Sequence, residues 1–387
     1  MNKCIIIYTA NYCSKIKDYF EVDNLLAEGV DIEFWDLGPI TLNEKLSEVK
    51  SDGLIIKKIE TFSDLRMNIS INREAYYFSY INYAYYSYKI YFYLSKYNCN
   101  VVYCTGGCLP QVSSILTNGK RINFKEIITI IPRKIRSLFV LVIKKLPIFK
   151  PSFAVMMSCS QAFSDYKTSC NTHYIACSSS DYLNAKKTLE MKNVTIERYI
   201  VFVDQYIPYH NDYIVHGIKQ IDPQKYYNSL NHFFCMVEEK YNCKIVIAAH
   251  PSALKYRETD FFDGRKVLFN KTSELIQNSI AVIIHHSTAV SFAVMFKKPL
   301  IIYTSDDIDA VYKNPSCYAN SSLFDAILIN IDHIEDVNIK SVNFKKYEEY
   351  KYAYLTNKQV EDISNSEVIL SILRGDFETF KYMTNVQ

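Results

Sequence analysis

Two histidines, a serine and a threonine stand together after an apolar run in the stretch Ile283–Ile302, IIHHSTAVSFAVMFKKPLII. The apolar run predicts a buried strand, and the residues after it repeat at the spacing of a helix that packs on a sheet. We therefore expect His286, Ser287 and Thr288 at the junction of a parallel strand and a helix. Free N–H groups and hydroxyls at such a junction bind phosphate. A plain helix cap would explain one of the two hydroxyls, but not both.

A second group of candidate ligands follows the predicted strand Lys244–Ala249, which is followed directly by His250-Pro251-Ser252. Proline restricts the residue before it to extended conformations, so the imidazole of His250 should project from the carboxyl end of the strand. That edge is the one predicted for His286. An imidazole donates to phosphate or protonates a leaving group. The sequence therefore predicts these three residues in an anion site, with His250 also acting in catalysis.

A third polar group follows the predicted strand Tyr199–Val203, which is followed directly by Asp204-Gln205. A carboxylate at a strand end is a candidate general base or nucleophile. A loop aspartate that caps a turn is the alternative interpretation. Asp204 is the preferred catalytic carboxylate, and Asp181 and Asp212 are the other candidates.

The sequence predicts no metal ion and no resident cofactor. Asp306, Asp307 and Asp309 are interpreted as a solvated loop rather than a cation site. The 11 cysteines form no CxxC pair, which indicates reduced thiols rather than a zinc site. Neither GxGxxG nor GxxxxGK[ST] occurs, and Gly106-Gly107 after a strand is a weak signal for a ligand.

Short apolar runs alternate with helical patterns, and the strands and helices that they predict must position these three groups of residues. The runs are rich in Ile and Val with little alternation, which is typical of parallel strands buried on both faces. Their spacing predicts βαβ units, enough for two doubly wound domains. The predicted strands are Cys4–Tyr8, Asp31–Trp35, Leu54–Ile56, Val101–Cys104, Tyr174–Ala176, Tyr199–Val203, Lys244–Ala249, Lys266–Leu268, Ile280–Ile284, Leu300–Tyr303 and Ala326–Ile329.

A chain of 387 residues has room for two domains of ordinary size. The polar segment Lys186–Arg198 suggests the boundary between them. We expect an N-terminal domain over residues 1–190, a second domain over 191–340, and a helical tail over 341–387 that packs back on the body.

The segment Tyr76–Tyr103 carries many of the chain's 33 tyrosines. Tyr76, Tyr80 and Tyr83 are spaced to share one face of a predicted helix. Tyrosines stack on sugars or bases, and a core helix with half-buried aromatic rings is the alternative.

The segment Pro132–Phe153 combines a short apolar run, Leu138–Ile143, with flanking basic residues. This pattern fits a surface that rests on anionic lipid, and an internal helix with solvated lysines is the alternative. The sequence has no apolar run of about 18 residues for a membrane span, and the N-terminus does not have the pattern of a signal peptide. We expect a cytoplasmic protein, peripheral at the inner face of the cell membrane. The net charge of +3 gives no indication of nucleic-acid binding.

Taken together, two Rossmann-like units, His250-Pro251 at one strand end and Ser287-Thr288 at a later helix start resemble a GT-B glycosyltransferase. More narrowly, they are similar to bacterial sialyltransferases and Kdo transferases that use CMP-activated sugars. The resemblance covers Tyr199–Tyr303, while the first half matches only in architecture. The acidic Asp/Glu-Asp/Glu-Gly motif of some sialyltransferases is absent.

The resemblance implies an α/β protein of GT-B fold, with two Rossmann-like domains facing a cleft and a C-terminal helical tail. It implies transfer of a nonulosonic acid or Kdo from a CMP donor to a surface glycan or glycolipid. His250, Ser287 and Thr288 would bind the donor phosphate, and the first domain would bind the acceptor. One alternative is a GT-B enzyme with a UDP- or GDP-sugar, which would usually carry a glutamate near Ser287. The other alternative is an inactive, glycan-binding paralogue.

Overall fold

The structure is a computed structural model that describes residues 2–42, 46–105, 138–159, 167–191, 197–210, 220–308 and 315–382. The chain divides into two compact units. The first contains the described residues of 2–105, 138–183 and 352–382, and the second contains those of 184–351. The final segment of the chain thus belongs to the first unit.

The first unit contains a seven-stranded parallel sheet in the order β3-β2-β1-β4-β5-β6-β7. Alternate residues of β1 face opposite sides of this sheet. Ile6 belongs to one buried apolar cluster, and Ile5 and Ile7 belong to another. The strands are β1 Cys4–Tyr8, β2 Ile32–Asp36, β3 Ile55–Lys58, β4 Tyr76–Ser79, β5 Asn100–Cys104, β6 Ala154–Met157 and β7 His173–Ala176.

The second unit contains a six-stranded parallel sheet in the order β10-β9-β8-β11-β12-β13. Its strands are β8 Tyr199–Val203, β9 Lys244–Ala249, β10 Val267–Phe269, β11 Val282–Ile284, β12 Leu300–Thr304 and β13 Ile327–Asn330. In both sheets, the second and third strands are added on one side of the first strand, and the later strands are added on its other side. This is the doubly wound Rossmann order.

Helices lie in most of the connections between the parallel strands, and others follow the last strand. They are α1 Ser14–Phe20, α2 Val22–Ala27, α3 Phe62–Ile71, α4 Tyr88–Lys96, α5 Ser180–Glu190, α6 Pro223–Tyr241, α7 Thr272–Asn278, α8 Val290–Met295, α9 Pro315–Phe324, α10 Phe344–Tyr350 and α11 Asn365–Arg374. Short 3₁₀ turns occur at Gly38–Ile40, Ile207–Tyr209 and Leu254–Arg257, and a π-helical turn covers Lys351–Leu355. Residues 138–145 are also helical.

Helix α6 covers one face of the second sheet beneath the carboxyl edge of β8. Asp222 caps its first turn, because the Asp222 carboxylate accepts hydrogen bonds from two backbone N–H groups, and Pro223 occupies the first turn, where no donor is needed. The buried face of α6 carries Tyr226 and Tyr227 into the same apolar cluster as Phe202 of β8.

The α/β fold with two Rossmann-like parallel sheets confirms the predicted fold class. All eleven predicted strands are present, with ends that shift by up to two residues. The prediction of one helical face for Tyr76, Tyr80 and Tyr83 was wrong, because Tyr76 and Tyr77 lie in the buried strand β4 and helix begins only at Tyr88. Strand β6 was also not predicted.

Within the described residues, the structure has no helix with both the length and the apolar character needed to cross a bilayer. Several predicted features fall outside the described residues: Gly106-Gly107, Asp212, Asp309, and Arg133, Lys134 and Arg136 among the basic residues that flank the apolar run Leu138–Ile143.

Candidate functional site

The strand order of the second sheet reverses between β8 and β11, and the candidate site lies at the carboxyl ends of these strands. Val203 pairs with Ala248 of β9 and with Ile284 of β11, so the three strands end at the same level. The loops after β8, β9 and β11 therefore begin side by side. Ligands of open α/β sheets bind in the crevice outside such a switch point.

Gln205 joins the loop after β8 to the loop after β11. Its side-chain oxygen accepts a hydrogen bond from the backbone N–H of His286 at 2.9 Å, and its side-chain N–H donates to the backbone C=O of His286. The same oxygen lies 3.1 Å from Nδ1 of His285. These contacts fix both the orientation of the amide and the position of the His285–His286 main chain.

The contact with Gln205 also determines the tautomer of His285. An amide oxygen only accepts hydrogen bonds, so Nδ1 of His285 carries the ring proton and Nε2 has the lone pair. His285 is only 5% exposed, and its Nε2 has no hydrogen-bond partner in the part of the chain that the structure describes. Burial, with a smaller effect of His286, lowers the pKa of His285 to about 3. The ring is neutral and presents an unused acceptor.

His250 follows β9 and is held by Ser252. The Ser252 hydroxyl lies 2.7 Å from Nδ1 of His250, and the Ser252 N–H donates to the same atom at 3.3 Å. Nδ1 therefore accepts, and the neutral ring carries its proton on Nε2, on the side of the ring away from Ser252. Burial, with a smaller effect of His210, lowers the pKa of His250. The His210 and His250 rings lie 5.7 Å apart, so the loop after β8 also contacts the loop after β9.

Asp204 lies at the predicted strand end, but its side chain is only 3% exposed. Neither carboxylate oxygen has a hydrogen-bond partner among the described residues. Burial raises the pKa of Asp204 to about 6, opposed by the N–H of Tyr206, the hydroxyl of Tyr256 and the N–H groups of His250 and Gln205. These donors lie near the carboxylate, but none has the geometry of a hydrogen bond to it. They therefore offset only part of the cost of burial.

Tyrosines enclose the Asp204 carboxylate. The hydroxyls of Tyr227 and Tyr256 lie 2.8 Å apart, and those of Tyr226 and Tyr303 lie 2.9 Å apart. Burial is the main cause of the raised pKa of Tyr227, Tyr256 and Tyr303, and the nearby charge of Asp204 adds to it. Two of these rings come from α6, which covers this face of the sheet.

The remaining predicted ligands lie at the surface of the same loops. Ser287 accepts a hydrogen bond from the N–H of Ala289 at 3.3 Å, so it acts as a local cap before α8. Thr288 is exposed, as are Pro251 and Ser252, while the exposure of His286 is intermediate. Burial lowers the pKa of His286. Helix α8 has six residues, so its N-terminus is a minor source of attraction for an anion.

The other predicted carboxylates do not join this group. Asp181 lies in the first turn of α5 and belongs to the first unit. Asp306 binds Asn330 and His333, and Asp307 forms an ion pair with Lys225. Across the described ranges, no group of three or more His, Cys, Asp or Glu side chains is arranged to hold a metal ion.

Sequence reasoning missed Gln205 and His285. One signal for His285 was available, because side chains alternate along a strand. Ile283 faces α6 in the buried cluster, so His285, two residues later, should face the same interior side. No local signal indicates that Gln205 reaches across to His286.

No protein-family model matches the chain, and no curated protein does. Solved structures do. UDP-GlcNAc 2-epimerase from Methanocaldococcus jannaschii has a TM-score of 0.50 at 11% identity, over 96% of this chain and 100% of that one. A putative UDP-N-acetylglucosamine 2-epimerase from Listeria monocytogenes has a TM-score of 0.48 at 11% identity, over 97% and 96%. MurG from Acinetobacter baumannii has a TM-score of 0.42 at 7% identity, over 98% and 99%.

At 11% identity, the likeness to the first of these structures concerns the fold and not the activity. It extends over 96% of this chain and over all of the other. Together with the two doubly wound parallel sheets, it shows that this chain has the GT-B fold.

Proposed function

We propose that this protein is a glycosyltransferase that binds a nucleotide-activated sugar at the carboxyl edge of its second sheet. The observation that carries the proposal is the meeting of three loops at the switch point of that sheet. Gln205 contacts His286, and His210 contacts His250. The loops present imidazole and hydroxyl groups, which are neutral hydrogen-bond donors suited to a phosphate.

His250 is the main candidate for contact with the leaving phosphate. Its Nε2–H points away from Ser252, and its ring is partly exposed. His286 and Thr288 would add donors from the loop after β11. Donors already fixed in place stabilise the negative charge that develops on the leaving nucleotide, without the cost of rearrangement.

The donor that we propose to test first is a UDP-sugar. The likeness of fold over 96% of this chain is to an enzyme named for UDP-GlcNAc, which supports a uridine nucleotide. A CMP-activated nonulosonic acid or Kdo is the second candidate. The order of His250-Pro251 and Ser287-Thr288 favours it, and so does the absence of a glutamate at Ser287 or Thr288.

Asp204 remains the proposed base or nucleophile, but its two buried oxygens must become accessible before either can contact a substrate. The acceptor in this proposal is a surface glycan or glycolipid, bound by the first unit. Neither a metal ion nor a cofactor is part of the proposal.

Nucleotide binding tests the proposal most directly. Thermal unfolding is measured with UDP, CMP and GDP, since a ligand at a hundred times its dissociation constant stabilises the folded state by about 2.7 kcal/mol. His250→Ala should lose the shift, while His232→Ala, an exposed histidine on α6, should keep it. The better of UDP and CMP identifies the donor class, and turnover of the matching nucleotide sugar identifies an enzyme. If none of the nucleotides shifts the transition, the proposed site is wrong. Binding without turnover would favour the inactive paralogue.

A further inference from the structure

The helix of residues 138–145 and the turn that follows it expose an unusual set of apolar side chains. Their exposed fractions range from 37% to 61%, values ordinarily found for polar surface residues. The set consists of Leu138, Phe139, Leu141, Val142, Leu146 and Ile148. Contiguous apolar surface of this kind marks an interaction site more often than an isolated exposed leucine does.

Other side chains of the segment bury it against the first unit. Ile143 is 6% exposed and Phe149 is 5% exposed, and both belong to the buried cluster of the first unit. They anchor the segment from its inner side. The outer side chains add exposed apolar surface beyond this anchor.

An aromatic rim borders this surface. The ring of Phe139 lies 5.6 Å from that of Tyr85 and 5.4 Å from that of Tyr88, in edge-to-face contacts. Tyr85 is itself 49% exposed. Tyrosine has an apolar ring and a polar hydroxyl, which suits the boundary between hydrocarbon and water.

The charged side chains of this segment are all of one sign. Lys144, Lys145 and Lys150 belong to the segment, and the sequence has no Asp or Glu from residue 127 to residue 164. Lys144 lies over the ring of Tyr83, and Lys150 binds Asn98, so both stay close to the patch. Apolar side chains next to these lysines complement an anionic, partly apolar partner.

We propose that this surface, formed by residues 138–150, docks onto the face of an anionic lipid bilayer. The apolar side chains enter the boundary between headgroups and acyl chains, and the lysines pair with lipid phosphates. A peripheral attachment of this kind needs no membrane-spanning helix. The proposal is independent of the proposed glycosyl transfer, because it rests on a different part of the molecule.

Co-sedimentation of the full chain with sucrose-loaded vesicles tests the proposal. Vesicles with about one-third phosphatidylglycerol should bind the protein, while pure phosphatidylcholine vesicles should bind it much less, and 0.5 M NaCl should release it. The variant Lys144→Gln/Lys145→Gln should lose about fivefold in affinity for each lysine. Lys244→Gln/Lys266→Gln removes two exposed lysines elsewhere, with the same change in net charge, and should bind as the wild type does.

The apolar contribution is tested in the same assay. Leu141→Ser/Val142→Ser should weaken binding to the anionic vesicles by at least tenfold. Leu189→Ser/Met191→Ser is the matched control, because these side chains are exposed to a similar degree at the end of α5 and just after it. Equal losses in both double variants would overturn the proposal, and so would a wild-type protein that stays in the supernatant with anionic vesicles.

Two other occupants of the surface would give different results. If another part of the same chain covers it, Leu141→Ser/Val142→Ser lowers the melting temperature by several degrees and the wild type binds no vesicles. If a second copy covers it, the wild type forms a dimer by light scattering, and that variant is a monomer. Either result would overturn the proposal.

Discussion

The side-chain amide of Gln205 holds His286 by both its backbone N–H and its backbone C=O. This pairing couples the ends of two adjacent parallel strands at the switch point of the sheet. It also leaves the amide oxygen beside Nδ1 of His285. One side chain therefore sets the position of the main chain at the candidate site and the protonation pattern of a buried imidazole.

Replacing Gln205 should weaken nucleotide binding more than it destabilises the fold. Gln205→Ala removes the contacts with His286, at a cost of about 1–3 kcal/mol in the free energy of unfolding. Once the loop after β11 is no longer fixed, we expect the nucleotide dissociation constant to rise at least tenfold in calorimetric titration. Gln224→Ala, an exposed glutamine at the start of α6, is the control and should change neither quantity. Unchanged nucleotide affinity in Gln205→Ala would show that this loop does not bind the nucleotide.

The tautomer of His285 can be observed directly. Long-range ¹H–¹⁵N spectra of the folded protein should show His285 protonated at Nδ1, and neutral down to about pH 4, because burial lowers its pKa to about 3. The unfolded state takes up this proton near pH 6.5, so His285 destabilises the fold as the pH falls from 6.5 towards 3. A ring protonated at Nε2, or one that titrates near pH 6.5 in the folded protein, would contradict the contact with Gln205.

The strands could be predicted well where burial on both faces selects Ile and Val. Tyr199–Val203 and Lys244–Ala249 are predicted and observed with the same ends. Strand β4 was missed because its tyrosines also fit a helical spacing, and the choice depends on pairing with β1, which is distant in sequence. Strand β6 was missed because the Ala and Met in AVMM favour helices, and its burial between β5 and β7 decides its structure.

The position of the candidate site could be predicted from the sequence, but the contacts between its residues could not. His250, Asp204 and His286 follow strand ends, so their common edge follows from a parallel sheet. The burial of Asp204 could not be predicted, because it depends on tyrosines that α6 and the loop after β9 bring to it. A side chain at a strand end can turn towards solvent or towards the covering helix, and the local sequence does not distinguish the two.

The two hydroxyls after His286 should have separable roles. Ser287→Ala removes the acceptor of the Ala289 N–H and should cost about 1 kcal/mol of stability, as the loss of a cap does. Thr288→Ala should leave the melting temperature unchanged, because Thr288 is exposed. If Thr288 binds phosphate, its loss should raise the nucleotide dissociation constant at least tenfold, since a hydrogen bond to a charged group contributes about 1.5–3 kcal/mol. Thermal unfolding and calorimetric titration of both single variants decide the matter. A nucleotide affinity that depends on Ser287 alone would contradict this assignment.

Asp204→Asn should stabilise the protein at neutral pH and not at acidic pH. Burial raises the pKa of Asp204 to about 6 in the folded state, while an unfolded chain ionises it near its ordinary value of 3.8. The folded state therefore binds the proton more tightly, and stability is lost as the pH rises from 3.8 through 6. The difference corresponds to at most about 3 kcal/mol, which is fully present above pH 7. Asparagine is uncharged and removes this cost, so the variant should gain roughly 1–3 kcal/mol at pH 8 and almost nothing at pH 4.

Chemical denaturation of Asp204→Asn and wild type across this pH range measures that difference, with Asp263→Asn, an exposed aspartate of the same unit, as the control. A variant that is less stable than wild type at every pH would show that the carboxylate is well satisfied, contrary to its unpartnered oxygens.

The Asp204→Asn variant also tests the catalytic assignment. If Asp204 is the base, sugar transfer should fall by about 10²–10⁴-fold while the nucleotide still binds. Loss of transfer in a more stable protein is expected where a chain retains a costly buried charge for its function. Transfer within a few-fold of wild type would instead leave Asp204 without a catalytic role, and its cost to stability would then need another explanation.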